Sequence, residues 1–338
     1  MQSHLIQKER SIHEIVDVCV LLGAFFGITG TYWDIQYHID VGRDSFWIPP
    51  HLMVYFGVLL VLCGMILALF LARDFAHHLT TKRLWKAMWL ILFGSFTQLI
   101  AAPIDDFWHR LYGLDVTVWS PPHLLLIFAG VLITLGLIYF QRLYMHIAHV
   151  DRARKLIPDE IKLELMFAIA LVGLNIILAE FEFFRTIPLY HISHVRPHWM
   201  YLFGLTIECA FLFALAKRLI QQRWVATRIA LWYVLIRSAI SFILSQHGSW
   251  PIYPPLVIIA AIAFDLLFSP KVKGIIATAC VFSLVFYATQ SMMYAALNIP
   301  EYVPQSIAEP LGTMVVAALI MLSATGIGTR MLAQVDGT

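Results

Sequence analysis

The sequence predicts an all-α, polytopic integral membrane protein with about ten spans, and three observations predict it. Apolar residues fill 60% of its 338 positions and charged residues only 13%, about half the charged share of soluble domains. Mean hydropathy is +0.78, and the apolar residues gather in runs of about twenty, the length of a helix that crosses a bilayer. Lys and Arg fall almost wholly on alternate connections between those runs, as the positive-inside rule requires of a multi-pass chain.

The runs place helices at 14–34, 50–73, 84–104, 121–144, 163–184, 197–219, 225–246, 254–268, 273–297 and 309–331. The first run has no small-residue cleavage site and leads into polar residues, so it is expected to be a span and not a cleaved signal. The second opens on Pro49-Pro50 and the fourth on Pro121-Pro122; proline suits the first turn of a helix, where its missing N–H costs nothing. The third is preceded by Lys82 and Arg83. Pro197 opens the sixth. The eighth, opened by Pro254-Pro255, is short for a span. Gly326-Ile327-Gly328 in the tenth is a small-residue packing spot and not a phosphate loop. Cys19, Cys63, Cys209 and Cys280 all lie in apolar runs and form no CxxC, so they are expected to be core residues without disulfides.

Outside Arg43, Arg110, Arg185 and Arg196, and Arg237 within a span, every Lys and Arg lies near a terminus or an even-numbered connection. That orients both termini to the cytoplasm of a bacterial-type inner membrane and turns the loops after helices 1, 3, 5, 7 and 9 outward. His38, His51, His109, His123, His191, His194, His198 and His247 then share the outer side. His4, His13, His77, His78, His146 and His149 sit in or near basic inner segments and read as solvated surface. Trp33, Trp47, Trp108, Trp119, Trp199 and Trp250 crowd the outer boundary as an interfacial belt.

The outer stretch DIQYHIDVGRDSFWIPPH, residues 34–51, has a near-copy at 105–123, DDFWHRLYGLDVTVWSPPH. Asp34 matches Asp105, His38 matches His109, Gly42 matches Gly113, and Pro49-Pro50-His51 matches Pro121-Pro122-His123. One motif reads D-x3-H-x12-H and the other D-x3-H-x13-H. The repeated unit is a helix, an outer loop and a returning helix opened by proline. A decayed third copy places Glu180 at the carboxylate position and His198 at the last imidazole; Phe184 replaces the middle His, and His191 or His194 stands near enough to substitute. The chain therefore divides into residues 1–150, with the duplicated motifs, and 151–338, with degenerate copies.

An Asp and a His four residues apart share a helix face. The intervening loop can fold back and set the second His opposite them. Two imidazoles and one carboxylate suit copper, zinc or iron better than magnesium or calcium, and three ligands leave a coordination position open, as catalytic metal sites do. The plainer reading, interfacial polar groups that cap loop backbone, accounts for one motif. It accounts less well for the same Asp and His types appearing twice. Asp34, His38, His51, Asp105, His109 and His123 are thus the expected ligands, with Glu180, His194 and His198 as possible additions.

The first motif, with Arg43-Asp44 inside it and Pro49-Pro50-His51 at its end, resembles the metal site in one membrane subunit of the particulate methane and ammonia monooxygenases, the copper membrane monooxygenase family. Asp105, His109 and His123 match the spacing of that family's second motif, with Asp in place of Asn. The resemblance covers residues 15–145. It implies a copper-binding membrane protein that uses O2 to oxidise a small substrate such as a hydrocarbon or ammonia, with a reductant and partner subunits. Iron or zinc is the alternative cofactor.

The expected function is metal-dependent oxidation by a copper membrane monooxygenase-like enzyme or its metal-bearing subunit, with the metal centre itself as catalyst. The rivals are a membrane copper transporter and a non-catalytic subunit of a larger complex. The expected partners are the lipid bilayer and either other subunits or further copies of the chain; the electron donor is not legible. Phosphate-loop, GxGxxG, GxSxG and basic-aromatic nucleic-acid patterns are all missing from the sequence. Within the spans, Glu208 and Arg237 are expected to meet as a buried ion pair between helices 6 and 7, with a proton or substrate path as the alternative.

Overall fold

In a computed structural model of the chain, residues 2–42, 45–72, 82–113, 118–147, 158–183, 197–298 and 303–336 are described. They form ten α-helices: α1 (Gln2–Asp40), α2 (Pro49–Ala72), α3 (Lys82–Tyr112), α4 (Pro121–Ile147), α5 (Asp159–Leu174), α6 (Trp199–Ile220), α7 (Val225–Ser245), α8 (Val257–Leu267), α9 (Val272–Ala296) and α10 (Ala308–Asp336). A 3-10 segment, Asn175–Glu182, continues α5. There is no strand among the described residues. Nine of the helical segments are long and apolar enough to cross a membrane, and α8, with 11 residues, is the short one.

At their C-terminal ends α1 and α3 outrun the apolar runs that predicted them by six and eight residues. α1 stays helical through Asp40 and α3 through Tyr112, past Pro103. The runs end where polar side chains begin, but the backbone ladder is indifferent to side-chain polarity and carries on. Both extensions hold motif residues.

The chain divides into two compact units, Met1–Asp159 and Glu160–Thr338. In the first, α1 packs along α2, α3 packs along α4, and α2 touches α3. Small residues set the spacing, as is common between membrane helices. A Cβ on Gly57 would stand 2.5 Å from the Gly23 carbonyl oxygen, and one on Gly94 would stand 2.7 Å from that of Ala129. The backbones of each pair therefore touch where a side chain would hold them apart.

In the second unit, α6 lies against α10, α7, α9 and the 3-10 segment, while α8 bridges α7 and α9. Phe213, Phe264 and Phe282 pack edge to face at its core, with ring centres 5.8 to 6.0 Å apart. Where α6 turns into α7, the fully buried Asp265 side chain accepts from Lys217 Nζ at 3.0 Å and from the Thr227 backbone N–H at 2.8 Å. Arg228 reaches the buried Glu164 at 2.6 Å.

Two expectations are corrected here. Arg237 does not pair with Glu208. Its guanidinium donates to Glu182, with both side chains at 0–1% exposure, and Glu208 instead accepts from the Asn175 amide. The sequence could match depths on α6 and α7, but the partner comes from the 3-10 segment. The cysteines are free, as expected, but they are not all core residues: Cys63 is exposed on the surface of α2, because the apolar run faces lipid as well as neighbouring helices.

Candidate metal centres

The last turns of α1 carry Asp34 and His38 on one face, and those of α3 carry Asp105 and His109 in the same way. Each helix then stops at a glycine in the left-handed region, Gly42 at φ +90° and Gly113 at φ +86°. The Gly42 N–H donates to the Tyr37 carbonyl, and the Gly113 N–H donates to that of His109. These are helix C-caps that a β-carbon would strain. After each loop the returning helix opens on proline, at Pro49 for α2 and Pro121 for α4. His51 and His123 are the third residues of those helices, so each points from a first turn toward the carboxylate across the hairpin.

The side chains converge as the spacing predicts. In the first triad, Asp34 Oδ1 is 3.1 Å from His51 Nε2, and Asp34 Oδ2 is 3.8 Å from His38 Nε2. In the second, Asp105 Oδ2 is 3.4 Å from His109 Nε2, and Asp105 Oδ1 is 3.3 Å from His123 Nε2. The ligand atoms of each triad all lie within 4.8 Å of one another. Two ligands on one tetrahedral ion with bonds near 2.0 Å would sit ~3.3 Å apart, so each triad could hold a metal ion. Every ligand side chain is only 9–18% exposed.

The opposite ring nitrogens sharpen this. His51 Nδ1 lies 3.4 Å from the Phe46 carbonyl oxygen, and His109 Nδ1 lies 3.3 Å from that of Gly113. A carbonyl can only accept, so each ring donates from Nδ1. Nε2 then faces a carboxylate oxygen: a neutral ring turns a lone pair onto it, a contact that a bound cation relieves, and a protonated ring donates to it as an ion pair. Nδ1–H held by a backbone carbonyl is also the usual arrangement behind a metal-ligating histidine. The Phe46 carbonyl accepts from the Tyr55 hydroxyl at 3.4 Å as well.

The two triads are neighbours. The rings of His38 and His109 are centred 6.1 Å apart and tilted by 31°. A cleft of about 750 Å³ opens beside them, lined by His51, Asp105 and His109 together with Phe46, Trp47 and Arg110. Arg110 is tied to Asp106 at 2.6 Å, so the cleft wall mixes aromatic and charged groups.

Of the additional candidates, Glu180 lies buried in the 3-10 segment and His198 precedes α6, half-buried. Neither belongs to a three-ligand group among the described residues. His191 and His194 lie outside the described residues. What sequence reasoning missed is the meeting of the two motifs and the supporting carbonyls. One signal was present for the Gly113 carbonyl, since that glycine follows His109 by four residues; the Phe46 carbonyl had none.

Comparison with protein-family models, with curated proteins and with solved structures finds no match to this chain. The resemblance to the methane and ammonia monooxygenases thus rests on the two motifs.

Proposed function

We propose that the chain is a metal-dependent membrane oxidoreductase or its metal-bearing subunit, with two copper ions held side by side, one by Asp34, His38 and His51 and one by Asp105, His109 and His123. The observation that carries the reading is the double one at the histidines: Nδ1 held by a carbonyl, Nε2 turned onto a carboxylate, in both hairpins. Copper bound by imidazole and carboxylate with a position open supplies one-electron and O2 chemistry. The protein's own part is to hold, orient and shield. Asp34 and Asp105 place a negative charge at each triad, and the Phe46 and Gly113 carbonyls fix the imidazoles.

The substrate is small and weakly polar. Phe46 and Trp47 supply apolar wall while Asp106 and Arg110 supply a polar one, a mixture better suited to an amine-sized molecule than to a hydrocarbon alone. The one-sided Lys and Arg distribution supports an extracytoplasmic position for the centre in a bacterial-type inner membrane.

The test is O2 uptake by copper-loaded membranes supplied with a quinol reductant and, in separate arms, ammonium or a short alkane. Uptake that depends on reductant and substrate and disappears in His109→Ala supports oxidation. Equal uptake in wild type and variant, or copper flux across proteoliposomes without uptake, contradicts it in favour of a handling or transport role.

A further inference from the structure

The second unit holds a polar cluster that has no part in the metal centres; Asn175, Glu182, Tyr201, Tyr233 and Arg237 are buried in it and Glu208 is half-buried. Glu182 accepts from Arg237 and, at 3.1 Å, from the Tyr201 hydroxyl. Deeper in the same unit, Tyr233 Oη donates to Asn175 Oδ1 at 2.6 Å, and Asn175 Nδ2 donates to Glu208. Glu208 is the tenth residue of the 22 in α6, about 14 Å along a helix whose rise is 1.5 Å per residue. That is close to the middle of a hydrocarbon core about 30 Å thick.

Charges at this level do not balance. Arg237 is committed to Glu182, and its guanidinium carbon also sits 5.5 Å from the Tyr253 ring centre. Among the described residues, no Lys, Arg or His pairs with Glu208. The basic groups at the far end of α6 are engaged elsewhere, Lys217 with Asp265 and Arg218 with Thr329. The Glu182–Arg237 pair is neutral as a whole and so offers Glu208 no counter-charge. Cys209 stands beside Glu208 on α6, and Tyr233 on α7 reaches it through Asn175. α10 carries no titratable group between Glu309 and Arg330. An ionised carboxylate without a counter-charge is too costly at that depth; it neutralises instead.

A second observation points the same way. Gln290 on α9 is fully buried, and neither its amide nitrogen nor its oxygen finds a hydrogen-bond partner among the described residues. It stands one turn from Tyr294, on the same helix face, and the Tyr294 ring lies 6.1 Å from that of Tyr201. A buried amide of this kind is ordinarily satisfied by internal water. Water there would adjoin Tyr294 and Tyr201 and, through the Tyr201 hydroxyl, Glu182 at the end of the 3-10 segment.

We propose that Glu208 is a proton-binding site: a carboxylic acid at mid-span depth whose proton exchanges with water through the polar interior of this unit. The step is the addition of H+ to the carboxylate, and it needs no other reagent. Asn175 serves both states. With Glu208 ionised, its NH2 donates to the carboxylate and its carbonyl accepts from Tyr233. With Glu208 protonated, the amide turned over accepts the acid proton and donates to Tyr233 Oη. The hydrogen-bonded chain then reverses its direction with the charge.

Infrared spectroscopy of the full chain in lipid at neutral pH tests this. The expected result is a carboxylic-acid C=O band that shifts on transfer to D2O, persists in Glu182→Gln and is lost in Glu208→Gln. No such band in the wild type, a band without the deuterium shift, or a band that survives in Glu208→Gln overturns the proposal. A second reading uses the wild type alone, so it does not depend on the variants folding. Dicyclohexylcarbodiimide reacts with protonated carboxyl groups inside lipid, and the peptide carrying Glu208 should bear the adduct. An unmodified Glu208 overturns the proposal as well.

Discussion

Asp34 and Asp105 each stand between two imidazole Nε2 atoms, and each holds the negative charge of its triad. Asparagine keeps the shape and removes the charge. Asp34→Asn should therefore weaken metal binding at the first triad by at least about 100-fold, beyond the 10- to 100-fold typical of an outer-shell change, while leaving the second triad loaded. Competition with a chelator would measure this, and equal loss at both triads would show that they do not act as separate sites. Gly113 has a different role. Alanine at φ +86° should cost about 1–2 kcal/mol in unfolding stability. It should also move the carbonyl that orients His109, with a further ~10- to 100-fold loss of metal affinity. Arg237→Met strands Glu182 in the interior and should cost about 3–5 kcal/mol, most of it recovered when Glu182→Gln is added. Thermal unfolding in detergent reads both effects.

At the scale of the helix, the close approach of α1 and α2 fixes how far His51 stands from Asp34. A Cβ at Gly57 would meet the backbone of both Gly23 and Gly27, and backbone cannot swing aside. Gly57→Ala should cost about 1–3 kcal/mol and lower metal content at the first triad. The same substitution at Gly312, where a Cβ meets nothing, should do neither. Much of this scale was legible beforehand. Apolar runs located ten helices, the short eighth included, and the Asp and His four apart identified the helix face that carries two ligands. The helix ends were less legible, because polarity marks where a span leaves the bilayer and not where a hydrogen-bonded ladder stops. The Arg237 partner was illegible for another reason. Depth along α6 and α7 suggested Glu208, and nothing local in the sequence says that the end of α5 tightens into a 3-10 segment carrying Glu182 to Arg237.

Over the whole molecule, a motif duplicated along the chain becomes two triads side by side, each closing one helical hairpin at the ends of α1 and α2 or α3 and α4. A metal ion bound to each would tie its two helices together only in the folded state. At a free metal concentration 100 times Kd, each ion should add about 2.7 kcal/mol to stability, so chelation should lower the melting temperature and re-addition should restore it. The meeting of the triads was not legible in the sequence, since the spacing within each motif says nothing about the distance between motifs. Whether the two triads hold metal is read most directly from metal content per chain after purification in detergent, for the wild type, His38→Ala, His109→Ala and the double variant. Two ions are expected in the wild type, one in each single variant and none in the double. A double variant that retains the wild-type metal content would contradict the assignment of both sites.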